Sequence, residues 1–376
     1  MLVGIDASRA NDDQKTGVGW YAWHLIEELK TQNTINKTQR PNVRFVLYTR
    51  EPLRGALANL PANCTQKVLK WPPQKFWTQI RLSWEMLVNP PDVLFIPAHV
   101  FPIIHPKKTV MTVHDMAALR FPKSYNWFER WYTVWSAKYA VKKLWRVIVP
   151  SVFVKRELTS LQVCKFAGEK IVVIPHGYDR RYERKYETDI KKILEKYNIE
   201  RPFVLSVGRL EEKKNTARIV EAFGKCRDAL QCVSTQLVLI GLPGYGYEKT
   251  KRAIETSVFK SDIFELGYVD ADDLPYIMNA AEVFVYPSLY EGFGLPVLEA
   301  LACGEPVVAG KGSCLEEVGG EACVYVDPTN IDEIARAIQT ARNNFNPATL
   351  RLRSGQAGKF SWGKSASLTA RLLGIT

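Results

Sequence analysis

Short apolar, β-branched runs alternate with longer amphipathic segments, and they do so twice along the 376-residue chain. The first series is LVGID (2–6), VRFVLYT (43–49), DVLFIP (92–97), KTVMTVHD (108–115), RVIVPS (146–151) and KIVVIP (170–175), with helical spacing between, as in WYAWHLIEELK (20–30). Strands that read as near-continuous apolar runs are buried on both faces, so this rhythm predicts a mostly parallel sheet covered by helices. The charged stretch 178–202 breaks the pattern. A second series then follows: FVLSVG (203–208), QLVLIG (236–241), DIFELG (262–267), EVFVYP (282–287), PVVAG (306–310) and ACVYV (322–326), closed by the helical IDEIARAIQTAR (331–342). The expected layout is α/β, with two Rossmann-like doubly wound domains at 1–178 and 203–358. An exposed connector with a short helix spans 179–202, and a C-terminal helix at 359–376 can return to the first domain. Ligands of such sheets bind beyond the carboxyl ends of the strands, and two facing sheets would enclose an interdomain cleft.

Charge sharpens the division. Residues 1–175 hold 25 Lys+Arg against 12 Asp+Glu and nine of the ten tryptophans, while the remainder is almost neutral. No apolar run reaches the roughly 20 residues of a spanning helix. The opening MLVGIDASRA lacks the basic and apolar regions of a signal peptide and is expected to form a first buried strand. The seven cysteines form no CxxC pair, so reduced thiols and a cytoplasmic setting are expected.

Candidate chemistry concentrates in SLYEGFGLPVLEALACGEPVV (288–308). A strand precedes it, and LPVLEALAC has helical spacing with proline in its first turn. A strand, a glycine-rich turn and a helix start together aim backbone N–H groups at an anion. Gly292 and Gly294 lack Cβ atoms and so admit a ligand to the main chain. Glu299, one turn into the helix, is a poor phosphate ligand but suits a pair of sugar hydroxyls. The stretch can therefore hold a nucleotide-sugar; read alone, it is equally a capped helix with two solvated glutamates.

The wording EGFGLPVLEALACGxPVV, with Glu291 and Glu299 in a Glu–seven residues–Glu pattern, resembles the retaining GT-B glycosyltransferases of family 4. That resemblance covers nearly the whole chain and is strongest over 203–327. It implies a GT-B fold and transfer of a hexose from a nucleotide-sugar. Glu291 and the amides of Gly292, Phe293, Gly294 and Leu295 would bind sugar and phosphates, and Glu299 the ribose hydroxyls. Arg209 and Lys214, in SVGRLEEKKN, match the diphosphate-binding pair; two cations can neutralise a leaving pyrophosphate without a metal. The backbone near Tyr268 and Val269 would meet the base. Gly17 and Gly19, in TGVGWY, would face the donor phosphates, and His114, followed by Asp115, would contact the transferring sugar. His176, in VIPHG, is expected to be structural. Family chemistry implies front-face attack by the acceptor hydroxyl, with Glu291 stabilising the sugar rather than attacking it. The donor is a substrate, so no cofactor is implied.

A literal D-x-D, Asp270 to Asp272, precedes LPYIMNAA and is expected to cap a helix rather than bind metal. In FPKSYNWFERWYTVWSAKYAVKKLWR (121–146), Phe128, Trp131, Trp135 and Tyr139 share one helical stripe, with Lys138, Lys142 and Arg146 beside it. KWPPQKFWTQIRLSW (70–84) adds a second aromatic-basic cluster. Such a helix either packs into the core or lies on an anionic membrane, peripheral to its inner face, which would suit a saccharide or polyprenol-linked acceptor. The basic half carries no nucleic-acid motif, so none is expected as a partner. Within the family the wording is nearest to bacterial O-antigen and exopolysaccharide mannosyltransferases, so GDP-mannose is the expected donor. UDP-sugar transferases, or a nucleotide-sugar epimerase or glycoside phosphorylase on the same fold, are the alternatives.

Overall fold

In the computed structural model, residues 1–35, 43–72, 75–161, 168–230 and 235–375 are described. The chain divides into two compact units, Met1–Gly177 with Ser361–Thr376, and Tyr178–Phe360.

The first unit holds seven parallel strands: β1 (Leu2–Asp6), β2 (Arg44–Thr49), β3 (Cys64–Val68), β4 (Val93–Ile96), β5 (Thr109–Thr112), β6 (Arg146–Val149) and β7 (Ile171–Val173), in the order β3-β2-β1-β4-β5-β6-β7. Ile5 of β1 lies between Leu47 of β2 and Phe95 of β4, at the point where the strand order reverses. Helix α1 (Gly17–Ile35) follows β1, and α2 (Trp127–Lys143) precedes β6. A capping box fixes the start of α2: the Asn126 side chain accepts from the Glu129 amide, and the Glu129 side chain accepts from the Asn126 amide. The expected aromatic helix therefore begins at Trp127, not Phe121, and Arg146 lies on β6 rather than on the helix stripe.

The last stretch of chain packs in this unit. The ring of Trp362 stacks on His24 at 5.0 Å and on His176 at 5.7 Å. A Cβ on Gly177 would stand 2.0 Å from the Trp362 nitrogen, so only glycine lets the two backbones meet.

The second unit repeats the plan with β8 (Phe203–Val207), β9 (Gln236–Ile240), β10 (Ile263–Gly267), β11 (Val283–Tyr286), β12 (Val307–Gly310) and β13 (Cys323–Val326), ordered β10-β9-β8-β11-β12-β13. Alternation decides its layers. Phe203, Leu205, Phe284 and Tyr286 enter one core, whereas Val204, Val283 and Val285 enter the other, so both faces are dry. Segment 179–202, expected as an exposed connector, instead feeds Tyr182, Ile190, Leu194 and Ile199 into the first of these cores. Its charges mask a stripe with helical spacing.

Cys303, Cys314 and Cys323 are free thiols, and Cys64 and Cys226 are buried; Cys164 and Cys232 lie outside the described residues. Among the described residues no helix is long and apolar enough to cross a membrane.

Candidate active site

In open parallel sheets the ligand crevice forms where the strand order reverses, which in the second unit is between β8 and β11. Gly208 and Arg209 leave the end of β8, and 287–294 leaves the end of β11. Two hydrogen bonds, one between backbones and one from a side chain, stitch these loops together: the Leu289 amide donates to the Lys213 carbonyl at 2.9 Å, and Asn215 Nδ2 donates to the Pro287 carbonyl at 3.0 Å.

Within that frame Lys214 Nζ donates to Glu291 Oε1 at 2.6 Å and to the Tyr286 hydroxyl, and lies 4.9 Å from the centre of the Tyr286 ring. Ser288 Oγ donates to the same Glu291 oxygen at 2.7 Å, and Cys314 Sγ donates to the Glu291 carbonyl. Glu291 is buried. Burial pushes its pKa up, but the Lys214 and Lys213 ammonium groups outweigh burial and hold it below the usual carboxylate range. Lys214, expected to stand ready for a diphosphate, is thus first the counter-ion of Glu291. Arg209 differs: its side chain is exposed and makes no ion pair among the described residues.

Helix α3 (Leu295–Cys303) begins on Gly294, whose φ is +92° and which brings no capping side chain. A Cβ there would meet Leu315 Cδ2 at 2.3 Å, so this glycine is required by local backbone geometry and packing, beyond any clearance for a ligand. The amides of Val297 and Leu298 return to the Gly294 carbonyl, and Pro296 has no N–H. Leu295 is left as the outward amide of the first turn. Gly292 and Phe293 are buried in the preceding loop, with the Phe293 ring against Phe360 at 5.8 Å.

Glu299, partly buried on α3, has its pKa raised to about 8 by burial and by the charge of Asp179, against the opposing pull of Arg181. Neither neighbour was anticipated from sequence, since both lie in the charged segment before β8. Tyr268 is exposed and Val269 buried, just beyond β10. The D-x-D departs from the expected capping role: Asp270 Oδ1 accepts from the Asp272 amide at 3.0 Å, Asp272 pairs with Arg181, and no side chain caps the helix that follows.

The first unit has its own reversal point, between β1 and β4. Gly17 and Gly19 lie inside the first turn of α1 rather than before it; a Cβ on Gly17 would meet nothing within 4 Å, whereas one on Gly19 would reach the Arg9 carbonyl at 3.0 Å. His114, beyond β5, directs Nε2 at the Pro97 carbonyl at 3.2 Å. A carbonyl can only accept, so Nε2 carries the proton and Nδ1 is an acceptor. Burial lowers the His114 pKa and keeps the ring neutral. Tyr21 packs edge-on to it at 4.7 Å and donates to or accepts from Thr112 Oγ1. Asp115 Oδ1 accepts from the Ala117 amide at 2.9 Å, capping the next segment. His99, just after β4, was not singled out in the sequence; its Nε2 is buried without a partner, and burial brings its pKa down to about 4. The signal was a histidine at a strand end, the same signal that marked His114.

Comparison with known proteins accords with this arrangement. Residues 16–182 match Glycosyltransferase Family 4, and residues 189–359 match Glycosyl transferases group 1. The chain is 29% identical over 263 residues to the O-antigen chain mannosyltransferase B of Escherichia coli, covering 68% of this chain and 67% of that protein. It is 28% identical over 211 residues to the serotype-specific mannosyltransferase WbdA of Escherichia coli, covering 55% of this chain but only 25% of that protein. A sucrose-phosphate synthase from Thermosynechococcus elongatus superposes with a TM-score of 0.74 at 18% identity, over 99% of this chain and 98% of that one. With one family match on each half, and the same two parallel sheets throughout a solved structure, the chain belongs to the family 4 glycosyltransferases of GT-B fold.

Proposed function

We propose that the protein is a retaining mannosyltransferase that moves mannose from GDP-mannose onto a saccharide acceptor, carried on a polyprenol lipid, in bacterial surface-polysaccharide synthesis. The observation that carries the donor side is an exposed, unpaired Arg209 at the same sheet reversal as the Lys214–Glu291 pair and the Leu295 amide. The mannosyltransferase relatives supply the choice of sugar.

In this reading Arg209 and the amides at Gly294 and Leu295 take the diphosphate, helped by the positive end of α3. The Gly292 and Phe293 backbone shapes that loop. Glu291, ionised and held by Lys214, steadies the sugar, and Glu299 accepts from the ribose hydroxyls. The main chain at Tyr268 and Val269 meets the base. The bond from the anomeric carbon to the diphosphate oxygen breaks while the acceptor oxygen bonds on the same face. The acceptor proton passes to the leaving phosphate, whose charge Arg209 and Lys214 balance. On the N-terminal unit, neutral His114 offers Nδ1 to a sugar hydroxyl, Asp115 keeps one oxygen for the same purpose, and Gly17 and Gly19 border the phosphates.

The cations in this scheme, and the local engagement of the Asp270 and Asp272 carboxylates, support a reaction without a metal. The exposed aromatic and basic residues of α2 support a peripheral position on an anionic membrane, each Lys or Arg adding about 1 kcal/mol near the surface.

The test is a donor panel of GDP- and UDP-sugars, with chelator present, scored by nucleotide release with and without saccharide acceptor. GDP-mannose alone should turn over. Turnover of UDP-glucose alone would discard the mannose assignment and keep the family.

A further inference from the structure

The surface of the N-terminal unit carries a groove lined by none of the residues placed in the candidate active site. One wall is the helical segment beginning at Trp77, entered through Phe76; the other is α2. Phe76, Ile80, Ile103, Phe128, Trp131 and Trp135 line it, around a volume of about 410 Å³, within the range of small-molecule sites. The walls are held apart in a fixed way. Gln79 Nε2 donates to the Tyr132 hydroxyl across the groove at 3.2 Å, and Phe101 beneath stacks on Tyr139 at 4.8 Å and on Trp135 at 5.7 Å. Trp131 and Trp135 stand nearly parallel, 5.7 Å apart.

Two features select the occupant. Gln79 and Tyr132 are the polar side chains of the lining, and they bond to each other, so the groove asks for hydrocarbon. Its flanks are basic. Lys75 adjoins Phe76, Lys107 lies four residues after Ile103, and Arg130 precedes Trp131; all three are exposed. The nearby acids are engaged, Glu129 in the α2 capping box and Glu85 with Lys67 and Arg81. A flat bilayer would meet projecting rings, whereas a slot between two walls takes a single chain.

We propose that this groove binds the isoprenoid chain of a polyisoprenyl phosphate, with the phosphate among the flanking lysines and arginine. The identity of that ligand rests on the lipid-linked acceptor proposed above; the apolar lining and the basic flanks do not.

The test titrates farnesyl phosphate, below its micellar concentration, into the full chain and follows tryptophan emission and calorimetric heat. Saturable one-to-one binding is expected, with farnesol at least tenfold weaker. Ile80→Glu and Ile103→Glu alter exposed positions and should each weaken binding at least tenfold with an unchanged melting temperature. Absence of saturable binding, or equal binding by both variants and the parent, overturns the proposal. So does binding to phosphatidylglycerol vesicles without binding to farnesyl phosphate, which would make the face a membrane contact only. GDP is added in a parallel melting experiment, where it is expected to raise the melting temperature. Absence of that rise with farnesyl phosphate binding intact sinks the GDP-donor reading and leaves the groove standing; the converse result sinks the groove alone.

Discussion

Lys214 and Glu291, 77 residues apart, form a 2.6 Å ion pair at the sheet reversal of the C-terminal unit. Because Glu291 is buried, the two partners are not equivalent. Lys214→Met strands a carboxylate away from water, whereas Glu291→Gln leaves an ammonium with the Tyr286 hydroxyl still to bond. Breaking such a pair from one side costs about 3–5 kcal/mol.

The pH dependence gives this its sign. In the parent the Glu291 pKa is depressed, so its stabilisation is present above the unfolded value of 4.5 and is lost as pH falls through the folded value. Without Lys214, burial is opposed only by the Lys213 charge and the Ser288 hydrogen bond, and the pKa moves up. Lys214→Met should therefore melt well below the parent at pH 7 and close part of that gap at pH 5. Melting curves at the two pH values decide it. A gap that stays constant would mean that Glu291 does not depend on Lys214 for its charge.

Arg209 separates binding from folding. Its exposed side chain makes no ion pair among the described residues, so Arg209→Ala should change stability by no more than about 0.5 kcal/mol. Loss of a charge-assisted bond worth about 1.5–3 kcal/mol should lower kcat/KM for the donor by roughly 10- to 100-fold. Arg209→Lys should recover only part, since an ammonium lacks the planar fork. Unaltered kcat/KM in Arg209→Ala would remove this residue from the donor site.

Glu299 is predicted to make nucleotide binding a proton-coupled event. With a folded pKa of about 8 against an unfolded 4.5, it is neutral in both states below 4.5 and protonated only in the folded state between the two. Stability therefore falls as pH rises through this window and levels off above about 8. Glu305, also raised to about 8, acts in the same direction. Glu299→Gln should leave the melting temperature near the parent's at pH 5 and raise it at pH 9. Ribose hydroxyls favour the ionised form, so GDP binding at pH 7 should release protons, read as a calorimetric heat that varies with buffer ionisation enthalpy. Proton release that persists in Glu299→Gln would assign it to another group.

The strands that could be read from sequence are those with both faces buried, such as Val93–Ile96 and Val283–Tyr286, where unbroken apolar runs leave little choice. Cys64–Val68 escaped, because an edge strand reading CTQKV carries polar residues and no apolar run. Segment 179–202 misled through its charge density, although Ile190 and Leu194 have the four-residue spacing of one helix face. Arg209, Lys214, Glu291 and Glu299 were visible as motif residues. The contact between Lys214 and Glu291 was not, because it depends on which strands become neighbours, and strand order is a property of the whole sheet. The burial of His99 was hidden for the same reason.

Gly17 offers the sharpest division between structural and functional use of a glycine. It opens α1, and a Cβ there meets nothing within 4 Å. Alanine is favoured over glycine in helices by about 0.5–1 kcal/mol, so Gly17→Ala should leave the melting temperature unchanged or slightly raised. If donor phosphates approach this turn, the added methyl occupies their path, and KM for the donor should rise several-fold at constant stability. Gly177→Ala is the counter-case: its Cβ would lie 2.0 Å from the Trp362 backbone nitrogen, so it should lower the melting temperature markedly. Melting and donor KM measured on both variants separate the two roles, and a Gly17→Ala protein with the parent's KM would confine that turn to starting the helix.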